Sequence, residues 1–268
     1  MSDNIEVTQR AGLGSEVTQI GVQNVYNVYN GLSPSEACKL ATDLFTENFP
    51  KLQEQAQKIV NARVDELMET IANKLEEKNI TNMAAFSEPD VQYAVYEAQK
   101  SYARFGTKEM LATLASLIAN RIEYNNDNIC LKVAIDKAIE ISGLLTRKHL
   151  DFLALLFAVS QVKFSGINNI EQLNNILLML NSFYPNVDIS GFSYLNLLGC
   201  LRIAIVNVPT ILGEVYNLPK DQVERVCSDN ILQLSGDYIT SDVGIVLAIT
   251  HLEATTSFRF NPEIWIHN

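Results

Sequence analysis

PKLQEQAQKIVNARVDELMETIANKLEEK, residues 50–78, decides the fold class. Leu52, Ala56, Ile59, Val60, Val64, Leu67, Met68, Ile71 and Leu75 recur at spacings of three and four, an apolar stripe held over several helical turns. Gln, Lys and Glu fill the opposite face. Such a helix is either the spine of a bundle or one strand of an intermolecular coiled coil, and the bundle spine is the expectation.

Just upstream, Gly31-Leu32-Ser33-Pro34-Ser35-Glu36 marks a helix start, with Ser33 as cap, Pro34 at the first helical position and Glu36 completing a capping box. That helix carries Ala37, Leu40, Ala41, Leu44 and Phe45 and is expected to end near Asn48, so that Pro50 opens the next one. Downstream, Ser87-Glu88-Pro89-Asp90 starts a helix running to about Arg104. Gly106 ends it, and Thr107 caps a helix carrying Met110, Leu111, Leu114, Leu117 and Ile118 toward Ile122. Polar residues 123–128 read as a loop, and 129–144 as another amphipathic helix. Short connections between five or six helices suit an up-and-down bundle.

The second half has a different texture. Thr146 caps a helix over 149–162, residues 169–183 form the next, and 189–206 read as a third, more apolar helix. After Pro209, Pro219 and a short helix at 222–227, residues 231–248 read as a strand, a Ser-Gly-Asp turn, a second strand and a helix capped by Ser241. The tail from Phe258 to Trp265 alternates like a strand. The expected fold is mainly α: a β arm at 1–31, a helical bundle at 32–144, and a smaller helical domain at 145–268 with a terminal, winged-helix-like β-hairpin.

Before the helices stands a segment of another kind. Glu6-Val7-Thr8-Gln9 recurs as Glu16-Val17-Thr18-Gln19, and Val25-Tyr26-Asn27 is echoed by Val28-Tyr29-Asn30. β-Branched and Tyr residues among Asn, Gln and Gly read as extended chain, and a lone strand is unstable in water. Copies of the chain are therefore expected to associate through Val22, Asn24, Val25, Tyr26, Asn27, Val28 and Tyr29, with amide ladders at Asn24, Asn27 and Asn30 and a dry valine seam.

Composition narrows the function. The net charge of −11 is shared by both halves, seven Lys/Arg against eleven Asp/Glu from Leu145 onward and thirteen against twenty before it. Phosphate contacts dominate nucleic-acid affinity, so no nucleic-acid partner is expected. The apolar runs 152–159 and 195–206 are too short to span a bilayer, and Met1–Arg10 lacks a signal-peptide core. Cys38, Cys130, Cys200 and Cys227 lie far apart, mostly in apolar-periodic segments, as reduced core cysteines do. A cytoplasmic location without metal or cofactor is expected.

No catalytic residue stands out. Asp237 with Asp242, and Glu224 with Asp229, could be paired carboxylates, but both pairs flank turns, where Asp is favoured as a cap or turn former. His149 and Asp151 point to different sides of one helix, and His251 and His267 show no companion. Gly12-Leu13-Gly14 is too short for a dinucleotide loop. Lys220 and Arg225 are the only bases near the wing-like segment, among Asp221, Glu224, Asp229, Asp237 and Asp242, which disfavours a DNA-reading wing. Arg104 and Arg121, each near a helix C-terminus, and Tyr102 are read as members of salt bridges or helix-end pairs, with an anionic ligand as the alternative.

Gly-Leu-Ser-Pro-Ser-Glu-Ala at 31–37, LFTENFPKL at 44–52, PDVQYAVYEAQKSYARFG at 89–106, LATLASLIANR at 111–121, LTRKHLDFLALL at 145–156 and YITSDVGIVLA at 238–248 together resemble a bacterial helical family known mainly by locus tags. More loosely the chain resembles the abortive-infection alpha proteins of phage defence. The resemblance implies a setting and no site residue. The function expected is a non-enzymatic, self-assembling bacterial defence protein that binds an unidentified protein partner. The alternatives are a DNA-binding regulator using a winged-helix-like C-terminal domain, and a hydrolase whose site is assembled from distant residues. Contact of the apolar 149–206 region with a membrane is a further possibility.

Overall fold

The computed structural model describes residues 33–124, 128–185 and 187–267. The proposed association residues Val22, Asn24, Val25, Tyr26, Asn27, Val28 and Tyr29, and Gly12-Leu13-Gly14, lie outside the described residues. Among the described residues the protein is mainly helical, 74% helix counting eleven α-helices and short 3-10 turns, with one two-stranded antiparallel sheet. Two compact units are distinguished, 1–57 and 58–268. The helix α1 (Pro34–Glu77) runs through the division.

In the first unit the capping box forms as the sequence requires. Ser33 N–H donates to Glu36 Oε2 at 2.8 Å, and Glu36 N–H donates to Ser33 Oγ at 3.3 Å. The break expected near Asn48 does not occur, and α1 continues through Pro50. Proline removes one donor and so leaves the Thr46 carbonyl without its helical partner. Residues 38–58 are exposed, so water can serve that carbonyl. Thr42, Thr46 and Asn48 each donate to the carbonyl four residues back, adding bonds just before the proline.

The second unit opens with the C-terminal part of α1, which buries Leu67, Ile71 and Leu75 as a bundle spine should. The helices α2 (Pro89–Phe105), α3 (Lys108–Glu123), α4 (Ile129–Ile141) and α5 (Arg147–Ser160) follow. Gly106 takes the left-handed conformation (φ 63°) that ends α2, and the side chains of Thr107, Asn128 and Thr146 cap α3, α4 and α5. Then come α6 (Ile170–Phe183), capped by Asn169, and the short α7 (Phe192–Leu197).

The single helix expected over 189–206 is not formed. Gly199 turns the chain at φ 78°, and Leu201–Val206 becomes strand β1. After α8 (Val208–Tyr216), α9 (Lys220–Val226) and α10 (Asp229–Leu232), strand β2 (Gly236–Thr240) pairs with β1, Leu201 opposite Thr240 and Ile203 opposite Tyr238, with a register shift between Ile203 and Val206. The small β element is therefore not a local hairpin within 231–240, because its partner strand lies three helices upstream. The tail is not a strand either. Its alternation reflects aromatic packing of Phe258 on Phe164, and of Phe260 and Trp265 on Phe157.

The last helix, α11 (Asp242–Thr255), is capped by Ser241 and buries nine consecutive residues, Gly244 to Leu252. A helix apolar all round belongs inside. It packs on α3, α4 and α5, joining helices from both sides of the division expected at 144/145. At Gly244 a Cβ would collide with the Cys200 carbonyl oxygen, so α11 sits against the backbone that leads into β1. Ser241 N–H donates to that same carbonyl at 3.0 Å.

Candidate functional site

His251 has a companion after all. Asp151 on α5 approaches it on α11, Nε2 to Oδ1 at 2.6 Å, across 100 positions of sequence. Both side chains are largely buried, and Arg147 Nε stands 3.7 Å from the same carboxylate oxygen. In nucleophilic catalysis an Asp–His pair of this kind activates a hydroxyl that shares the imidazole. The neighbouring hydroxyls are otherwise engaged. Thr255 Oγ1 donates to the His251 carbonyl at 2.7 Å, which leaves Tyr184 Oη to donate to Thr255 Oγ1 at 2.5 Å. Burial pushes the Tyr184 phenol up to about 12, so it stays protonated. The arrangement locks α5, α11 and the end of α6 together.

His149 and Asp151 do not form a dyad, as their spacing implied. His149 Nδ1 accepts from the Thr146 N–H at 3.2 Å and completes the cap of α5, with its ring against Tyr194. Burial holds its pKa below the ordinary histidine range.

Of the two arginines, Arg121 follows the reading of paired charges. Arg121 is buried and bonds Asp90 and Asp136, the latter at 3.0 Å. Arg104 is exposed, with its guanidinium over the Phe105 ring. The C-terminus of α2 is served instead by Arg63, which donates to the carbonyls of Ala103 and Arg104 at 2.7 and 3.3 Å. Tyr102 donates to Glu66 at 2.6 Å. Burial first, then the Glu66 carboxylate, raises its phenol to about 12.

Asp242 and Asp229 occupy the first turns of α11 and α10, as helix-start acids do, and Arg225 lies 3.5 Å from Asp221. Among the described residues no three His, Cys, Asp or Glu side chains are grouped to hold a metal. Cys200 and Cys227 are buried, their thiols raised to about 12 and about 11, chiefly by desolvation. Cys38 and Cys130 are exposed, contrary to the expectation of core cysteines.

Among the described residues, two of the clefts bear on ligand binding. One of about 380 Å³ lies over Tyr93, Glu97, Lys100, Arg104 and Glu140, where Lys100 is paired with Glu97. Acids and bases alternate there, so it presents no field of one sign. The other, about 520 Å³, is aromatic, lined by Phe164, Phe258, Phe260 and Trp265, with the Trp265 indole already donating to the Gln161 carbonyl at 3.0 Å.

The feature least explained by internal packing is exposed apolar surface. Isolated exposed apolar residues are ordinary, but clusters mark contacts. On α1, Leu40, Leu44, Phe45, Phe49 and Leu52 are all about half exposed. On and beside β1, Leu197, Ile203 and Ile205 are 81%, 83% and 90% exposed. β1 pairs with one strand only, so its other edge carries backbone groups without a strand partner among the described residues. The sequence showed the α1 stripe clearly. It could not show which part of the stripe is covered, because the spacing is the same in both parts.

A model of an uncharacterised family, described only by a locus-tag label ending in "-like", matches residues 31–240. The chain belongs to that family. The match opens three residues before α1 and closes on the last residue of β2, so it takes in the exposed stripe of α1 and the whole two-stranded sheet. No curated protein and no solved structure matches the chain. Among the described residues no helix is long and apolar enough to cross a membrane.

Proposed function

We propose that the protein acts by binding protein chains, copies of itself included, and not by catalysing a reaction. The observation that carries this reading is the grouping of exposed Leu and Phe side chains on α1. The apolar β1 edge supports it as a second surface suited to protein contact. The sequence of residues 22–29 adds a segment suited to strand association, placed directly before α1. The setting we favour is bacterial phage defence, on the chain's looser resemblance to the abortive-infection alpha proteins.

Light scattering tests the assembly. The full chain is expected to run as an oligomer, and deletion of residues 1–30 is expected to lower the measured mass. A full chain at its monomer mass of 29.9 kDa at working concentrations removes the self-assembly part of the reading. For the setting, cells expressing the protein are expected to form fewer plaques with at least some phages. Unchanged plaque counts across a broad phage panel would count against defence.

A further inference from the structure

We infer, resting on the self-assembling reading above, that α1 pairs with α1 of a second copy, parallel and in register, along Cys38, Phe45, Phe49, Leu52, Ala56 and Ile59. These positions follow one another at seven, four, three, four and three residues. That is the repeat of a left-handed coiled-coil seam, whose partner is another helix. From Phe45 to Ile59 the seam extends about 21 Å along the helix axis, at about 1.5 Å per residue. Phe45, Phe49, Leu52 and Ile59 are about half exposed, and helices in proteins owe most of their stability to the packing of an apolar face. A matching helix supplies that cover.

The charges indicate which helix. The whole chain carries −11, yet residues 34–62 hold three Lys against four Asp and Glu. Two copies of this stretch therefore meet as near-neutral helices. In the heptad register the positions flanking the seam from Phe45 to Ala56 are Thr46, Asn48, Gln53 and Gln55, all uncharged, and Lys39 beside Cys38 is the one charge at a flanking position. Flanking charges are what select a different partner or a reversed orientation. Their absence from Phe45 to Ala56 suits an identical helix. The parallel choice follows from the chain itself: residues 22–29 end shortly before Ser33, so copies joined there begin their α1 helices at the same level. The effective concentration of one helix about the other is then high.

Cys38 is exposed and falls on the seam, which makes it a built-in reporter. Oxidation of the full chain with diamide is expected to give a disulfide-linked dimer at about twice 29.9 kDa. Cys38→Ser should abolish that product and Cys130→Ser should preserve it. Leu52→Glu, which places a charge in the seam, should cut the cross-linked yield by about tenfold or more while cooperative unfolding is retained. An oligomer that does not cross-link through Cys38, or that cross-links equally well with Leu52→Glu, overturns the pairing but leaves self-assembly standing. A monomer overturns both. Cross-linking that appears only with another protein present assigns the stripe to a foreign helix and also overturns the pairing.

Discussion

Arg121 heads the fully buried side chains among the described residues, and its neighbours show why it is tolerated there. The guanidinium lies between Asp90 on α2 and Asp136 on α4, whose side chains are 50% and 34% exposed. Burial acts to raise both carboxyls, and Arg121 acts to lower both. At Asp90 the arginine prevails and the pKa falls, whereas at Asp136 desolvation prevails and it rises. The stability that Asp90 contributes is therefore present above its unfolded pKa and is lost as pH falls through its folded value. Asp136 has the opposite sign and offsets part of that loss. Asp90→Asn is expected to cost about 1 kcal/mol or less at neutral pH, in keeping with a half-exposed partner, with the difference vanishing in strong acid. Arg121→Met is expected to cost about 2 kcal/mol, below the roughly 3–5 of a fully buried broken pair, because water reaches both carboxylates. Urea unfolding of each variant at neutral and acid pH checks the signs. Arg121 as a paired residue was legible from its place near a helix end. Asp151 with His251 was not, since nothing local marks a partner a hundred residues away.

At the scale of elements, four caps read true from sequence because capping is a contact between residues three apart, whereas at the start of α2 the N-cap is Glu88 and no side chain caps it. Ser33, Thr107, Thr146 and Ser241 all receive the backbone N–H their spacing promised. Strand β1 was hidden because a short apolar run suits a buried helix and a strand equally, and its partner β2 begins thirty residues after β1 ends. The continuous α1 was also missed, since Pro50 normally ends a helix and its tolerance depends on exposure, which the sequence does not display. The central position of α11 had one visible sign, the lack of a polar face over Gly244–Leu252. Its seat depends on Gly244, where the helix meets the Cys200 carbonyl with no room for a methyl group. Gly244→Ala should gain slightly in helix propensity yet destabilise by about 1–3 kcal/mol through overpacking. Chemical denaturation would show it as a lowered midpoint with unchanged slope, and a variant as stable as the parent would mean that α11 can shift away from the β1 turn.

For the whole molecule, the distribution of burial separates what folds the chain from what it offers to others. Every buried apolar residue of the described core, from Leu67 to Ile266, belongs to the unit at 58–268. The exposed residues of α1 before Lys58 add none to that core. Hydrophobic burial is the main stabilising contribution and cooperative unfolding follows a shared core, so residues 58–268 hold what is needed to fold alone. A chain beginning at Lys58 is expected to unfold in one cooperative transition within a few degrees of the full chain's Tm, measured at a concentration where the full chain is dissociated. It is also expected to run at a lower oligomeric mass than the full chain. Loss of cooperative unfolding would mean that the removed segment supports the core in a way the exposure of residues 33–57 does not suggest. Retained folding with retained full assembly would move the self-association surface into the second unit, where Ile203 and Ile205 on β1 are the side chains to charge next. Folding kept and assembly lost is the outcome expected of a chain whose first fifty-seven residues serve its copies and whose remainder holds the core.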